Sequence, residues 1–194
     1  DPLYGYRFDG SFLAAGAWRA PQGTDAVEHL EGYGLTWMHS LLLAIRDSAA
    51  PAEHLDWLVS RMVSTLAWSP DDGDRTDVVW SEGVNLRREQ GLNCLYGVTR
   101  DSRLLPVIAA VATANMDPNR YYGPPRWPPH NHGLMANLAL LRSGVLLGRE
   151  DWRNYAVSRL RVAIDASFTT AGSAIEQSVA YGRVIMSKWS EAAE

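Results

Sequence analysis

The chain has 194 residues, 46% of them hydrophobic and 21% charged, with 18 basic against 22 acidic side chains and a formal net charge of -4. That much apolar material can bury the core of one domain, or of two, and it excludes a disordered segment. Nearly balanced charge excludes the global basic field that nucleic acid or an anionic membrane requires, so any polyanion has to be met by a local cluster.

The lone cysteine, Cys94, excludes an internal disulfide and a thiolate metal cluster within this segment. It sits in Leu92-Asn93-Cys94-Leu95-Tyr96 and reads as a buried, inert thiol rather than a nucleophile. Neither a basic leader with an apolar core nor a run of 18 apolar residues occurs, so a soluble piece is expected. The chain opens on Asp1 rather than Met, which leaves a secreted or periplasmic location as the expectation beside a cytoplasmic one.

In chain order, residues 1–23 alternate glycines, aromatics and small residues without a sustained period and read as an irregular arm; residues 24–194 read as the helical domain. Tyr33 to Ile45 carries Leu35, Met38, Leu41, Leu42 and Ile45 at helical spacing. Pro51 suits the first turn of the next helix, with Glu53 beside it and Leu55, Leu58, Met62 and Leu66 inward. Pro70 to Thr76 is a turn or exposed loop. Val78 to Val98 returns to helix, with Val84, Leu92 and Leu95 inward and Arg87, Arg88 and Glu89 partly outward; Gly83 and Gly91 weaken it unless a neighbour packs closely. Asp101 caps Leu104 to Met116, with Pro106 expected to move the start a little later.

Asp117 to Pro129 is rich in Pro, Gly, Tyr and Arg and is predicted to be a loop, the kind of segment that presents groups to a ligand. Beyond it Leu134, Leu138, Leu141 and Val145 form one stripe, and Trp152, Tyr155, Leu160 and Ile164 another. Ser173-Ala174-Ile175-Glu176 has the spacing of a capping box and is expected to open a last helix through Val179 and Ile185. No strand pattern competes, so roughly six or seven helices are expected to form αα-hairpins in an all-α, barrel-like or solenoidal array. No phosphate loop, dinucleotide fingerprint, calcium loop or zinc-ligand spacing is present.

Two polar clusters stand out, His130-Asn131-His132-Gly133 and Glu176-Gln177-Ser178 followed by Tyr181, each at the start of a helical pattern. An amide, an imidazole and exposed helix N–H groups make a seat for a carboxylate, although Asn131 also reads as a plain helix cap. A phenol such as Tyr181 serves as base or acid only in a donor-rich or cationic setting, and otherwise is a half-buried packing residue. Glu176 reads first as the capping-box residue and second as a group that orients His132 or a sugar hydroxyl. Arg87 and Arg88 could meet a carboxylate or sulfate, but a helix directs only one of two successive residues well toward a cleft. Trp80, Tyr121, Tyr122 and Trp127 lie at or beside loops and are candidates to pack against sugar faces; Trp37, Trp57 and Trp152 read as core.

The string Pro129-His130-Asn131-His132-Gly133-Leu134-Met135 through Arg142, followed by Ile175-Glu176-Gln177-Ser178-Val179-Ala180-Tyr181, resembles the catalytic domain of the heparinase II/III and alginate lyase superfamily. Met38-His39-Ser40-Leu41 resembles a helix nearer that domain's start, so the likeness runs from about residue 30 onward. The resemblance implies an incomplete α/α toroid, completed in full members by further helices and antiparallel β-sandwich modules, here in the same polypeptide or a partner chain. It implies β-elimination at a uronic acid of an acidic polysaccharide, without a cofactor or metal in this segment. By motif position, Asn131 would neutralise the carboxylate, His132 would assist it or act on the proton, and Tyr181 would be the base or acid that also protonates the leaving oxygen. Trp80, Arg87, Arg88, Tyr121, Tyr122, Trp127, His130 and Glu176 are the expected substrate-binding residues. Gly182 stands where the family usually has an aromatic or histidine, and the segment by itself is expected to show little turnover. The alternatives are a carbohydrate-binding helical module without catalysis and a toroid hydrolase, the latter opposed by the lack of a second carboxyl to pair with Glu176.

Overall fold

The computed structural model describes residues 34–47, 53–64, 80–173, 175 and 179–193, and in the last of these stretches the side chains of Val179, Ala180, Tyr181, Val184 and Ala193 are not described. The 1–23 arm, Pro51, Leu66, the 70–76 loop and Glu176 therefore lie outside the described residues. What is described is helical, with no strand among the described residues, and the chain divides into two compact units, Asp1–Ala110 and Val111–Glu194. No described helix is long and apolar enough to cross a membrane.

The first unit holds α1 (Thr36–Arg46), α2 (His54–Ser64), α3 (Glu82–Thr99) and a 3-10 turn, η1 (Ser102–Leu104). Met38 and Leu42, one turn apart, are the buried side of α1, and Leu58, Val59 and Met62 are that of α2. α3 has no outer face of the usual kind. Leu86, Leu92 and Leu95 are buried, but so are Asn85, Arg88, Glu89 and Asn93, with Arg88 only 6% and Glu89 0% exposed. The expectation that Arg88 and Glu89 point partly outward is thus corrected: a helix wrapped on nearly all sides buries its polar residues as well. Gly91 makes this close wrapping feasible, because a Cβ there would lie 3.0 Å from Met38 Cε and 3.5 Å from Leu35.

α3 stops at Arg100, whose φ of 53° turns the chain while its N–H donates to the Tyr96 carbonyl. Asp101, expected to cap the Leu104–Met116 helix, instead caps the 3-10 turn η1, accepting from the Arg103 N–H at 2.9 Å, and the Arg103 guanidinium spans Asp101 and Asp56 to tie η1 to α2. α4 (Leu105–Met116) starts directly after η1 with Pro106 in its first turn, where a missing N–H costs no helical hydrogen bond. The boundary between the two units falls inside this helix.

The second unit is built on α5 (Asn131–Leu146) and α6 (Glu150–Ser167), joined by three residues and therefore an αα-hairpin. Gly148 takes a φ of 65° in the turn, and Gly144 lets α6 approach: a Cβ there would come within 2.9 Å of the Arg153 backbone nitrogen and 3.0 Å of the Arg149 carbonyl. On α6 Trp152, Ala156, Leu160 and Ala163 form the buried stripe, so Ile164 is turned outward at 42% exposed. Val145 is 63% exposed at the end of α5 beside the turn. Both had been expected in the stripes, and both are displaced because the small alanines carry the close contact.

The last helix is α7 (Val179–Ala193); of the expected capping box, Ala174 and Glu176 lie outside the described residues. Ser173 instead belongs to a turn in which its carbonyl accepts from the Thr169 N–H at 2.8 Å and its N–H donates to Thr169 Oγ1 at 3.2 Å. Trp189 and Ala192 pack on Leu134, Leu138 and Leu160, and Arg142 pairs with Glu191. These contacts set α7 beside α5.

Candidate functional site

The site is built where the 117–130 loop enters α5. Asp117 Oδ1 accepts from the Asn119 N–H at 2.8 Å, Asn119 Oδ1 accepts from Arg126 at 2.8 Å, and the Trp127 N–H donates to the Gly123 carbonyl at 3.1 Å. This irregular stretch thus satisfies its backbone with its own side chains and turns. Gly133 completes the join, since a Cβ there would collide with the Tyr122 carbonyl oxygen. Glycine in the first turn of α5 is what lets the loop lie against the helix.

His130, not Asn131, is the N-cap of α5. Its backbone is extended, with φ -142° and ψ 143°, and its Nδ1 accepts from the His132 N–H at 3.1 Å. Asn131 is the first helical residue, and its amide makes no hydrogen bond among the described residues. His132 stands edge-on to His130 with ring centroids 4.7 Å apart. Tyr122 meets His130 edge-on at 5.6 Å and stacks on Trp127 at 5.3 Å, with 3° between the planes. Tyr122 and Trp127 are both exposed, so four rings lead from solvent to the helix start.

Tyr121 behaves differently from its neighbour. It is 5% exposed, and one ring face is covered by the Arg159 guanidinium at 3.9 Å, so it touches the site as a buried wall and not as an open platform. Its hydroxyl accepts from Asn137 Nδ2 at 3.0 Å. Burial pushes the Tyr121 phenol above its ordinary range, an effect only partly offset by the Asn137 donor and the Arg159 charge. Arg159 also lies 4.4 Å over the Tyr155 ring and donates to the Asn115 and Met116 carbonyls at 2.9 and 3.0 Å, fastening the end of α4 to α6. Burial lowers its pKa, but a guanidinium in such a cage keeps its charge.

Beside this framework is a shallow groove open to solvent. Its lining combines the polar Tyr121, His130 and Asn131 with the apolar Leu134, Ala163, Ile185 and Trp189, and with Ser167 at the end of α6. Reading the sequence missed Arg159, Asn137, Ser167 and Trp189. They are distant from the motif in sequence and sit inside ordinary helical stripes, with no local signal to mark them.

Of the expected catalytic residues, Asn131 and His132 share the first turn of α5. For Tyr181 the backbone alone is described, in the first turn of α7. Glu176 lies outside the described residues. Trp80, Arg87 and Arg88 belong to the first unit: Trp80 is buried with the Arg88 guanidinium 4.9 Å from its ring centroid, and Arg87 donates to the Gly83 carbonyl at 2.8 Å. These bonds give all three a structural occupation there. Among the described residues no group of three His, Cys, Asp or Glu could hold a metal ion.

Comparison of the chain with family models, with curated proteins and with solved structures finds no match in any of the three.

Proposed function

We propose that the chain is the first part of an α/α-toroid polysaccharide lyase that cuts an acidic, uronate-containing glycan by β-elimination. The observation that carries this reading is the Asn131 amide, uncommitted to any described residue, in the lining of a groove at the start of α5. Around it, His130 and His132 supply imidazole, and the stacked Tyr122 and Trp127 offer flat faces suited to a sugar ring. The hairpin of α5 and α6 with α7 alongside is a unit from which a toroid can be assembled.

In the proposed reaction, Asn131 and His132 hydrogen-bond the uronate carboxylate. As the C5 proton leaves, charge grows on that carboxylate, so preorganised donors stabilise the transition state more than the ground state. The Tyr181 oxygen takes the C5 proton, the C5 electron pair forms the C4–C5 double bond, the C4–O4 bond breaks, and the phenol's own proton passes to O4. Tyrosine ends neutral, as it began, and no external oxidant or reductant is needed.

The test is the absorbance of new unsaturated ends on uronate polymers, followed with the longest native form of the chain. Asn131→Ala should lower kcat by about a hundredfold or more with little loss of polymer binding, the scale of removing one charge-stabilising donor. Turnover unchanged by Asn131→Ala and by Tyr181→Phe would overturn the reading. The exposed Tyr122 and Trp127 stack favours a second reading, a glycan-binding helical module without catalysis. It predicts saturable oligosaccharide binding and no new ends.

A further inference from the structure

Resting on that reading for what the His130–Asn131–His132 cluster does, we infer that Arg159, on α6, is the positioning residue that sets the geometry of the cluster. Arg159 bonds to none of the three and acts through Tyr121. The loop that delivers the cluster to α5 is held at two points, and one guanidinium holds both.

The first point is where the loop begins. Arg159 donates to the Asn115 and Met116 carbonyls at 2.9 and 3.0 Å, among the last carbonyls of α4, which lack a partner within the helix. A cation is favourable at a helix C-terminus, and both bonds are charge-assisted. The second point is Tyr121, whose ring the same guanidinium covers at 3.9 Å while lying 4.4 Å from the Tyr155 ring. Lysine cannot replace it, because a compact ammonium lacks the flat fork that spans two carbonyls and packs on two rings.

Tyr121 passes the restraint on to α5. Its Cε2 is 3.4 Å from where a Gly133 Cβ would lie, and its hydroxyl accepts from Asn137 Nδ2 at 3.0 Å, one turn further along. Gly133 and Asn137 are four residues apart and share a face of the helix, so Tyr121 fixes α5 against the loop both along its axis and in rotation. Next in the chain, Tyr122 sets its carbonyl against Gly133 and its ring edge-on to His130 at 5.6 Å. His130 in turn caps the helix through the His132 N–H. The contacts therefore run without a break from Arg159 to the residues proposed to seat the carboxylate, all within the second unit.

The experiment follows the ring-proton NMR signals of His130 and His132 in the full chain, together with kcat and KM for new unsaturated ends on a uronate polymer. The two rings stand edge-on at 4.7 Å, and His130 also meets Tyr122, so ring currents make their shifts a gauge of placement. Arg159→Lys should move both signals in the folded protein. It should also lower kcat about ten- to hundredfold with KM changed less than about threefold, because displaced donors act mainly on the transition state. Gly144→Ala, near the other end of α5, is the control for loosened packing: it should lower the melting temperature and leave the signals and kcat unchanged. Signals unmoved by Arg159→Lys, or moved as far by Gly144→Ala, would overturn the inference, as would unchanged turnover in an active chain. If the unaltered chain makes no unsaturated ends, the lyase reading falls by itself, and the histidine signals still decide whether Arg159 holds the cluster. Should Arg159→Lys not fold, Tyr121→Phe, which keeps the ring and loses the Asn137 bond, decides by the same signals.

Discussion

At the scale of single residues, His130 is the instructive case. The sequence presents His130, Asn131 and His132 as three adjacent polar groups, and because asparagine is the better-known cap, Asn131 also reads as a plain helix cap. The backbone turns helical one residue earlier than that reading assumes, which gives the cap to the imidazole and releases the amide. One residue of helix boundary is below what sequence pattern resolves. His130→Ala should therefore cost about 1 kcal/mol in urea denaturation, and His130→Asn should keep most of that stability because asparagine replaces the acceptor. Tyr121 gives a prediction in pH. Its folded-state pKa is raised by burial, so the folded state holds the phenolic proton more tightly than the unfolded chain. The corresponding stability is fully present below the unfolded phenol pKa of about 10 and is lost as pH rises from there through the folded value. Tyr121→Phe should flatten that alkaline decline in a series of thermal melts, and a decline as steep as before would place its origin elsewhere.

At the scale of elements, the helices expected over Tyr33–Ile45, Val78–Val98, Leu104–Met116 and beyond Pro129, and found at Thr36–Arg46, Glu82–Thr99, Leu105–Met116 and Asn131–Leu146, were legible because apolar residues recur at the helical period. Which face is buried was less legible. α3 hides Asn85, Arg88, Glu89 and Asn93 along with its leucines, and a stripe argument assumes that polar residues mark the outside. On α6 the stripe passes through Ala156 and Ala163, residues too small to outweigh Ile164 in a pattern, yet small is what a close helix pair selects. Gly144 is the sharpest example. Gly144→Ala should destabilise the α5–α6 hairpin by roughly 1–3 kcal/mol, since the atoms in the way are backbone of Arg149 and Arg153 that cannot rotate aside. Chemical denaturation would show this directly, and a neutral result would mean that the two helices can part without cost.

At the scale of the whole molecule, the all-α class followed from periodicity and from the absence of alternation, whereas closure into a toroid depends on contacts between distant helices that no local pattern encodes. The charge balance was also informative. With a formal net charge of -4 and no lysine or arginine among the described groove residues, the proposed recognition of an acidic polymer would rest on hydrogen bonds and ring stacking. Polymer affinity should accordingly fall by less than about tenfold between low and physiological salt, far from the steep dependence of a binder that releases many counterions. Isothermal titration across a salt series checks it, and a steep slope would point to a basic surface outside the groove. The groove's walls are drawn from points as separate in the chain as Tyr121 and Trp189. Anything that occupies it acts as a clasp across the second unit, and by mass action raises the temperature at which that unit comes apart. The melting curve is thus a gauge of occupancy even for a compound that is never cut.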